Sequence, residues 1–301
     1  MILISGSSNQ TLARATAKLL DLDLGSVDVS KFPNGEKRVW IRQDLTGQDV
    51  TIIQSFSEPV DEHIIELALL SDAAHHLGSG SITALVPWLG YSPQDKSFRP
   101  GEPVSVHVVA KIIEAVGINR FTTVDIHSSS SLDHFHIPVT HLTALPLFTD
   151  YFRTKDLKNH SIVAVDKGAL NVSKSMAAAL KLPLIVFNKT RDLATGAVAL
   201  THKSGAVKGQ RIIAIDDFVS TGSTRITASR ILKSLGALSY TDCITHALLA
   251  GDSPQQLQGS SIDQIITTDT YPIPKSKRFP KLTVLSAAPL LADSIRQHLS
   301  L

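Results

Sequence analysis

The stretch Arg211–Arg225, which reads RIIAIDDFVSTGSTR, carries the strongest fold signal in this 301-residue chain. Its apolar start, Arg211–Ile215, predicts a strand that is covered on both faces, as strands of parallel sheets are. Apolar residues then recur at helical spacing from Thr224 to Leu235, and Gly236 follows as a C-cap. A strand that leads through a short polar loop into a helix is the repeating unit of α/β folds with parallel sheets.

The same alternation of strand and helix runs along most of the chain. The other predicted strands are Ile2–Ser5, Val50–Gln54, Ile82–Val86, Phe121–Val124, Ile162–Val165, Leu184–Phe187 and Gln264–Thr267. A second helix is predicted at Val104–Val116, with Gly117 as its C-cap. Because the alternation restarts near residue 160, we predict an α/β fold of two doubly wound, mainly parallel-sheet domains, residues 1–145 and 146–301. The sequence does not decide on which of the two domains the final helix, Ala287–Leu299, packs.

Composition excludes several classes of protein. With 43% hydrophobic and 19% charged residues, the chain has ample material for a core and is not disordered. The 29 Lys and Arg residues balance 27 Asp and Glu residues without a basic stripe, so we expect no nucleic-acid partner. No apolar run approaches ~18 residues, so we expect no membrane span. The single cysteine, Cys243, and a start without a charged leader predict a cytoplasmic protein.

Two acids and a run of small residues follow the strand of the opening stretch. Ligands of open α/β sheets bind at the carboxyl ends of strands, where Asp216 and Asp217 are placed to accept hydrogen bonds from sugar hydroxyls. The loop Ser220–Thr224 exposes backbone amides at a helix N-terminus, which is a cradle for phosphate. The alternative is an ordinary N-cap beside a solvated acidic turn.

Charged residues also follow other predicted strands. Asp125–His127 places a histidine after a strand, although such a histidine is more often part of the hydrogen-bonded structure than a metal ligand. Asp166 opens another loop between a strand and a helix. Lys189 and Arg191 stand two residues apart and would face one bound anion, or else form the solvated tip of a hairpin.

Two segments in the first half of the chain combine aromatic and polar residues. Phe32–Glu36 offers an aromatic face and a polar turn, which suit a purine base, although the same run is typical of a plain turn. The connection Pro87–Pro103 is long enough to be either functional or disordered. Its aromatic residues Trp88, Tyr91 and Phe98 are costly to leave in water and favour a functional loop.

Taken in chain order, from residue 32 to residue 224, the motifs resemble those of the ribose-phosphate diphosphokinase family over nearly the whole chain. Arg211–Arg225 looks like the phosphoribosyl-pyrophosphate motif that this family shares with type I phosphoribosyltransferases. Phe32–Glu36 resembles the family's Phe-x-Asp-Gly-Glu segment, and Asn188–Asp192 matches its Lys-x-Arg loop. Tyr91–Lys96 and Arg99–Ser105 are similar to Tyr-Ala-Arg-Gln-Asp-Lys…Pro-Gly-Glu-Pro-Ile-Ser, a loop that distinguishes the family from phosphoribosyltransferases.

The resemblance implies a role for each segment and a type I phosphoribosyltransferase-like fold for both domains. Lys189 and Arg191 would be the catalytic residues. Residues implied to bind ATP are Phe32, Asn34, Gly35, Glu36, Pro93, Gln94, Asp95, Lys96 and Arg99. Residues implied to bind ribose 5-phosphate are Arg191, Asp216, Asp217, Ser220, Thr221, Gly222, Ser223 and Thr224. A bound Mg²⁺ would be held by His127 and Asp166, beside a pyrophosphate loop formed by Lys167, Gly168 and Ala169.

The implied reaction transfers the diphosphoryl group of ATP to the C1 hydroxyl of ribose 5-phosphate, giving 5-phosphoribosyl 1-pyrophosphate and AMP. Such enzymes assemble as dimers or hexamers, so a homo-oligomer is expected. Two alternatives stay open: a non-catalytic regulatory homologue that binds ribose 5-phosphate or nucleotide, and a phosphoribosyltransferase. The second is disfavoured by the Gln94–Ser105 loop.

The chain departs from the family pattern at the nucleotide segments. Pro93 stands where the family has an arginine that reaches the ATP phosphates, and Asn34 replaces an aspartate. Losing a charge-assisted contact of ~1.5–3 kcal/mol would weaken ATP binding. The Ser220 form of the phosphate loop resembles archaeal-type members. A zinc site at the nearby histidines is disfavoured, because they lack a recurring ligand spacing.

Overall fold

The computed structural model describes residues 1–191 and 198–299, with side chains described outside 188–203 and 298–299. The chain divides into two compact units. Unit 1 comprises Met1–Thr143, Thr270–Pro272 and Ser286–Leu301, and unit 2 comprises Ala144–Asp269 and Ile273–Leu285. The final helix therefore belongs to the first unit, together with the short segment Thr270–Pro272.

The strands are β1 (Ile2–Ser5), β2 (Val27–Lys31), β3 (Lys37–Ile41), β4 (Val50–Ile53), β5 (Ile82–Val86), β6 (Arg120–Val124), β7 (Val139–Leu142), β8 (His160–Ala164), β9 (Leu184–Arg191), β10 (Val198–Ser204), β11 (Arg211–Val219), β12 (Ser239–Ala247), β13 (Gln264–Thr268) and β14 (Leu282–Leu285). The α-helices are α1 (Gln10–Leu19), α2 (Val60–His76), α3 (Ser105–Ala115), α4 (Leu145–Arg153), α5 (Leu170–Leu180), α6 (Ser223–Ser234), α7 (Ser253–Gln258) and α8 (Ala288–Leu299). Short 3-10 helices lie at Ser129–His134 and Lys275–Lys277.

Unit 1 is built on a parallel sheet with strand order β1-β4-β5-β6-β7. Its central strands are apolar runs that are buried on both faces, and β4 is buried at every residue. The antiparallel hairpin β2–β3 forms a separate two-stranded sheet. Helix α8 packs on α1, where buried Leu291 and Ile295 each contribute about 1.5–3 kcal/mol relative to an exposed side chain.

Unit 2 is built on a seven-stranded sheet with order β10-β9-β8-β11-β12-β13-β14. All neighbours are parallel except β9 and β10, which form an antiparallel hairpin. The chain order reverses between β8 and β11: β9 lies on one side of β8, and β12 lies on the far side of β11. A crevice for ligands forms at such a switch point, outside the carboxyl ends of the two strands.

The predicted fold class is confirmed: the molecule is α/β, with two mainly parallel sheets flanked by helices. The predicted strand at Arg211–Ile215 continues to Val219, because β12 pairs with it along that whole length. The sequence did not predict the two antiparallel hairpins, β2–β3 and β9–β10, as pairs of strands. In β2 and β3, Lys, Arg, Asp and Ser interrupt the apolar residues, so a search for continuous apolar runs passes over them. No helix in the described parts of the chain is long and apolar enough to cross a bilayer.

Candidate functional site

The loop between β11 and α6 has the geometry of an anion cradle. Gly222 is the N-cap of α6 and has a φ of +79°, a left-handed conformation that glycine adopts without strain. A Cβ on Gly222 would lie 2.8 Å from Leu257 Cδ2, so the packing beneath the loop also requires glycine. Thr221 and Ser223 are exposed on either side of it. The first amides of a helix have no partner within that helix, so this loop presents them together with the positive end of the helix dipole.

The sequence predicted that Asp216 and Asp217 follow the end of their strand, but both lie inside β11, which continues to Val219. Both carboxylates are partly exposed. Oδ1 of Asp216 accepts a hydrogen bond from the Asp217 amide at 3.1 Å, and Oδ1 of Asp217 accepts from the Phe218 amide at 2.8 Å. Each carboxylate is therefore held by the backbone next to it, close to the start of the phosphate loop.

The Asp166 loop joins the same edge of the sheet. It leads from β8 into α5, and β8 is the parallel neighbour of β11, so both loops leave the carboxyl edge of the sheet at the switch point. Oδ1 of Asp166 accepts a hydrogen bond from the Ala169 amide at 3.0 Å, which shapes the turn. Lys167 and Gly168 are exposed between them. The structure thus brings together three groups that the sequence predicted separately: the acid pair, the phosphate loop and the Asp166 loop.

A buried arginine, to which the sequence motifs assign no role, lies next to these groups. Arg225, in the first turn of α6, is 3% exposed. Its Nη2 contacts Oδ2 of Asp216, and its Nε lies 3.6 Å from Oδ2 of Asp242, a fully buried residue of β12. Burial alone would lower the pKa of Arg225, but Asp242, and after it Tyr240 and Asp166, raise it above its usual value. The one signal in the sequence was a positive charge among the residues of α6 that face the core.

Lys189 and Arg191 lie on the β9–β10 hairpin of unit 2. In the backbone register, Lys189 pairs with Leu200 and Arg191 pairs with Val198. Their side chains, and residue Asp192 with its neighbours to 197, lie outside the described part of the structure. Their implied catalytic roles remain predictions.

In unit 1, the Phe32–Glu36 segment is the tip of the β2–β3 hairpin. The Phe32 amide donates to the Glu36 carbonyl at 2.8 Å, and the Gly35 amide donates to the Phe32 carbonyl at 2.9 Å. Asn34 Oδ1 accepts from the Glu36 amide at 3.2 Å, so its carbonyl is already engaged in the turn. The Phe32 side chain is 48% exposed, which leaves an aromatic face accessible to a base.

The hairpin is fastened to α2 by an ion pair that the sequence did not reveal. Nζ of Lys37 lies 2.7 Å from Oε2 of Glu66, whose side chain is fully buried. Ser7 donates to Glu66 from its amide at 2.5 Å and from its hydroxyl at 2.6 Å, and Gln54 donates at 3.0 Å. Burial alone would raise the pKa of Glu66, but the hydrogen bonds from Lys37 and Ser7 hold it below its usual value.

The connection between β5 and α3 is ordered by its own side chains. Oε1 of Gln94 accepts from the Ser105 hydroxyl at 2.5 Å, and its Nε2 donates to the Pro103 carbonyl at 3.2 Å. The amide of Arg99 donates to Glu102 at 3.0 Å. Three more residues of this connection are placed as follows. Oδ2 of Asp95 accepts a hydrogen bond from the Ser130 hydroxyl at 2.8 Å, Nζ of Lys96 lies 5.5 Å from the centre of the Phe98 ring, and Pro93 is half-buried. Of the three aromatic residues in this connection, Trp88 is buried as expected, whereas Tyr91 and Phe98 are 40% and 62% exposed.

His127 is exposed in the segment that follows β6. Nearby, Asp125 has a φ of +30°, and the Ile126 amide donates to Nε2 of His141 at 3.2 Å. Burial lowers the pKa of His141, which acts here as a neutral acceptor within the fold. Among the described residues, no group of three or more His, Cys, Asp or Glu side chains could hold a metal ion by itself.

Comparisons with known proteins agree with the predicted resemblance. Residues 1–117 match the N-terminal domain of ribose phosphate pyrophosphokinase, and residues 198–300 match the phosphoribosyl synthetase-associated domain. A ribose-phosphate pyrophosphokinase from Campylobacter jejuni is 36% identical over 295 residues, which cover 98% of this chain and 94% of that protein. One from Bacillus caldolyticus is 33% identical, covering 96% of this chain and 91% of that protein.

A solved structure gives the same result. The crystal structure of phosphoribosylpyrophosphate synthetase from Mycobacterium smegmatis matches with a TM-score of 0.92 at 33% identity. The match covers 99% of this chain and 98% of that one. Sequence and fold agree over nearly the full length, and the chain therefore belongs to the ribose-phosphate pyrophosphokinase family, whose members are also called ribose-phosphate diphosphokinases.

Proposed function

We propose that this chain transfers the diphosphoryl group of ATP to the C1 hydroxyl of ribose 5-phosphate, releasing AMP. The observation that carries the proposal is the carboxyl edge of β8 and β11, where an acid pair, a phosphate loop and the Asp166 loop meet at the switch point of the sheet. A sugar phosphate requires these groups: acceptors for its hydroxyls and donors for its phosphate.

In the proposed binding mode, the amides of Ser220–Thr224 hold the 5-phosphate, and Asp216 and Asp217 accept hydrogen bonds from the ribose hydroxyls. The C1 hydroxyl attacks the β-phosphorus of ATP, the bond from that phosphorus to the α-phosphate oxygen breaks, and AMP leaves. Phosphoryl transfer depends on in-line positioning and on neutralising negative charge that spreads over the transferring group. Lys189 and Arg191 are proposed to supply that positive charge, together with the residues that hold the substrates.

Magnesium fits the donors that are present. Asp166 offers a partly exposed carboxylate on a short loop, and Mg²⁺ is usually held by one or two carboxylates together with water and substrate phosphates. We propose that Asp166 holds it and that Lys167–Ala169 bind the pyrophosphate, whereas His127 stays a ligand that only the family resemblance implies. When bound, the ion would neutralise phosphate charge.

On the nucleotide side, Phe32 is proposed to stack on adenine, while Asn34, Gly35 and Glu36 meet its polar edge. The ordered loop from Pro93 to Arg99 is proposed to bind the rest of ATP. Asp95 is ionised on this loop, because its hydrogen bond from Ser130 holds its pKa below the usual value. Lys96 and Arg99 carry the positive charge of this loop, since Pro93 has none.

The test mixes purified protein with ATP, magnesium and ribose 5-phosphate, with and without inorganic phosphate, and follows the nucleotides by chromatography. We expect AMP to form only when ribose 5-phosphate is present. ADP would mean transfer of a single phosphoryl group and would overturn the proposal. If no nucleotide is consumed, restoring the arginine with Pro93→Arg distinguishes an impaired nucleotide site from a regulatory homologue, which would bind ribose 5-phosphate without turning over.

We also propose that the protein acts in the cytoplasm as a homo-oligomer, either a dimer or a hexamer. A chain whose one cysteine, Cys243, is buried forms no internal disulfide and suits a reducing compartment. Light scattering coupled to size-exclusion chromatography measures the mass directly. A monomer of 32.4 kDa at assay concentration would contradict the proposed assembly.

A further inference from the structure

Arg225 is a buried cation whose charge is matched by two carboxylates from the neighbouring strands. It projects from the first turn of α6, where its contacts are Asp216 on β11 and Asp242 on β12. The three residues differ sharply in exposure: the side chains of Arg225 and Asp242 are 4% and 0% exposed, whereas that of Asp216 is 26% exposed. Arg225 therefore connects a carboxylate in the interior to a carboxylate at the rim of the candidate site.

Asp242 is held by few groups. The nearest cationic group to its carboxylate is Nε of Arg225 at 3.6 Å. Burial raises the pKa of Asp242, and the charge of Arg225 and the hydroxyl of Tyr240 oppose that rise. Its strand neighbours are Ala214 on one side and Ile265 on the other. An acid in such apolar surroundings is costly unless a cation is paired with it. The pairing with Asp242 holds the Arg225 guanidinium in the position where it contacts Asp216.

Stability alone does not account for this arrangement. Replacing a buried ion pair by apolar residues of similar size is often neutral or stabilising, so a fold has no need of the pair for its core. What the pair does provide is a fixed direction for the Asp216 carboxylate. Oδ2 of Asp216 is taken by Arg225 and Oδ1 by the Asp217 amide, which defines how its remaining lone pairs are presented to the solvent side.

We propose that Arg225, anchored by Asp242, is a positioning residue that orients the Asp216 carboxylate for the hydroxyls of ribose 5-phosphate. This inference rests on the proposed function, in which Asp216 accepts from the sugar. Arg225 acts through Asp216 and does not touch the substrate. Loss of Arg225 should weaken the binding of ribose 5-phosphate and leave the binding of ATP unaffected, because the groups proposed to bind ATP lie on other loops.

The test uses the double variant Arg225→Met/Asp242→Val, which removes both buried charges together and keeps side-chain volume. We expect calorimetry to give a melting temperature equal to or above that of the parent. Isothermal titration of ribose 5-phosphate, without ATP, should show an affinity about ten-fold weaker, as expected when a charge-assisted contact is lost. Steady-state kinetics should show the KM for ribose 5-phosphate rising similarly, with the KM for ATP within about two-fold of the parent value.

A second variant keeps the proposal falsifiable if the double variant does not fold. Arg225→Lys retains the charge but lacks the planar fork that reaches two carboxylates at once. We expect a smaller loss of ribose 5-phosphate affinity, about three-fold, in a folded protein. A purely structural Arg225 would instead lower the melting temperature and leave the affinity of the folded fraction unchanged.

The parent protein separates the two possible failures. If the parent binds ribose 5-phosphate and the folded variants bind it equally well, the positioning role is overturned and the proposed function stands. If the parent binds no ribose 5-phosphate at all, both are overturned. If affinity falls in the order parent, Arg225→Lys, double variant, the positioning role is supported.

Discussion

The two regions proposed to bind substrates are built in opposite ways. In unit 2, the candidate ribose 5-phosphate site is formed by strand ends and a helix N-terminus, with a buried ion pair behind it. In unit 1, the proposed nucleotide segments are the tip of a two-stranded hairpin and a connection without regular structure. The first is held by the core of its sheet, and the second by hydrogen bonds among polar side chains such as Gln94 and Ser105.

This difference predicts where sequence change is tolerated. A backbone cradle such as Ser220–Thr224 depends on one conformation, and its glycine has no room for a side chain. An exposed hairpin tip and loop can exchange single residues at modest cost. The departures noted above, Asn34 and Pro93, both fall on the exposed segments, whereas the phosphate loop keeps its small residues.

The largest expected effect is on turnover. Lys189→Ala should lower kcat by about 10²–10³-fold, because a group that stabilises developing charge in phosphoryl transfer is lost. The melting temperature should stay nearly unchanged. Lys174→Ala, at an exposed position on α5, is the matched control and should keep parental kinetics. Full activity in Lys189→Ala would remove Lys189 from the mechanism.

The next largest effect is expected at the phosphate loop Ser220–Thr224. Gly222→Ala should raise the KM for ribose 5-phosphate by about ten-fold or more, since a misplaced binding group is costly and the new Cβ would strain a left-handed residue against Leu257. Gly209→Ala is a close control, with a φ of +78° but open space around the Cβ. It should lower stability without changing that KM. Equal KM values in the two variants would contradict a rigid cradle.

In unit 1, the expected effect is on stability and its pH dependence. The pKa of Glu66 is lower folded than unfolded, so its stabilisation is full above the unfolded value and is lost as pH falls through the folded value. Glu66→Gln should therefore lower the free energy of unfolding by about 1.5–3 kcal/mol at pH 7. Urea unfolding should show the gap between parent and variant closing as the solution is acidified below the normal carboxyl range.

The control for that variant lies one turn away. Glu62 contacts the same Lys37 at 3.4 Å but is partly exposed and also pairs with the exposed Lys31, so Glu62→Gln should change stability far less. Equal effects of the two substitutions, or a gap that does not vary with pH, would show that the buried pair does not fasten the hairpin in the manner described.

The smallest effect is expected on the exposed nucleotide loop. Pro93→Arg should lower the KM for ATP by about five-fold, because a cation added at a partly exposed position gains only ~1 kcal/mol. Ser97→Arg adds the same charge elsewhere on the loop and should have little effect. An unchanged KM for ATP in Pro93→Arg would mean that Lys96 or Arg99 already supplies the contact.

Sequence patterns predicted what depends on neighbours along the chain. The apolar runs gave β1 and β5 with their observed bounds, and the small residues after β11 predicted the phosphate loop. The two buried ion pairs could not be predicted in this way. Lys37 meets Glu66, and Arg225 meets Asp242, only after strands and helices pack, and nothing local separates a buried acid from a solvated one. The contact between Asp216 and Arg225 lies within one strand–loop–helix unit and was therefore easier to predict than the two buried ion pairs. Predicting it still requires knowing that Arg225 faces the core.

Phosphorus-31 NMR of the reaction of parent protein with ATP, magnesium and ribose 5-phosphate tests the proposed diphosphoryl transfer most directly. We expect paired diphosphoryl resonances of a sugar 1-pyrophosphate to grow in step with AMP, while the 5-phosphate resonance persists. Formation of ADP with a sugar bisphosphate, or of AMP with free pyrophosphate and unchanged ribose 5-phosphate, would contradict it.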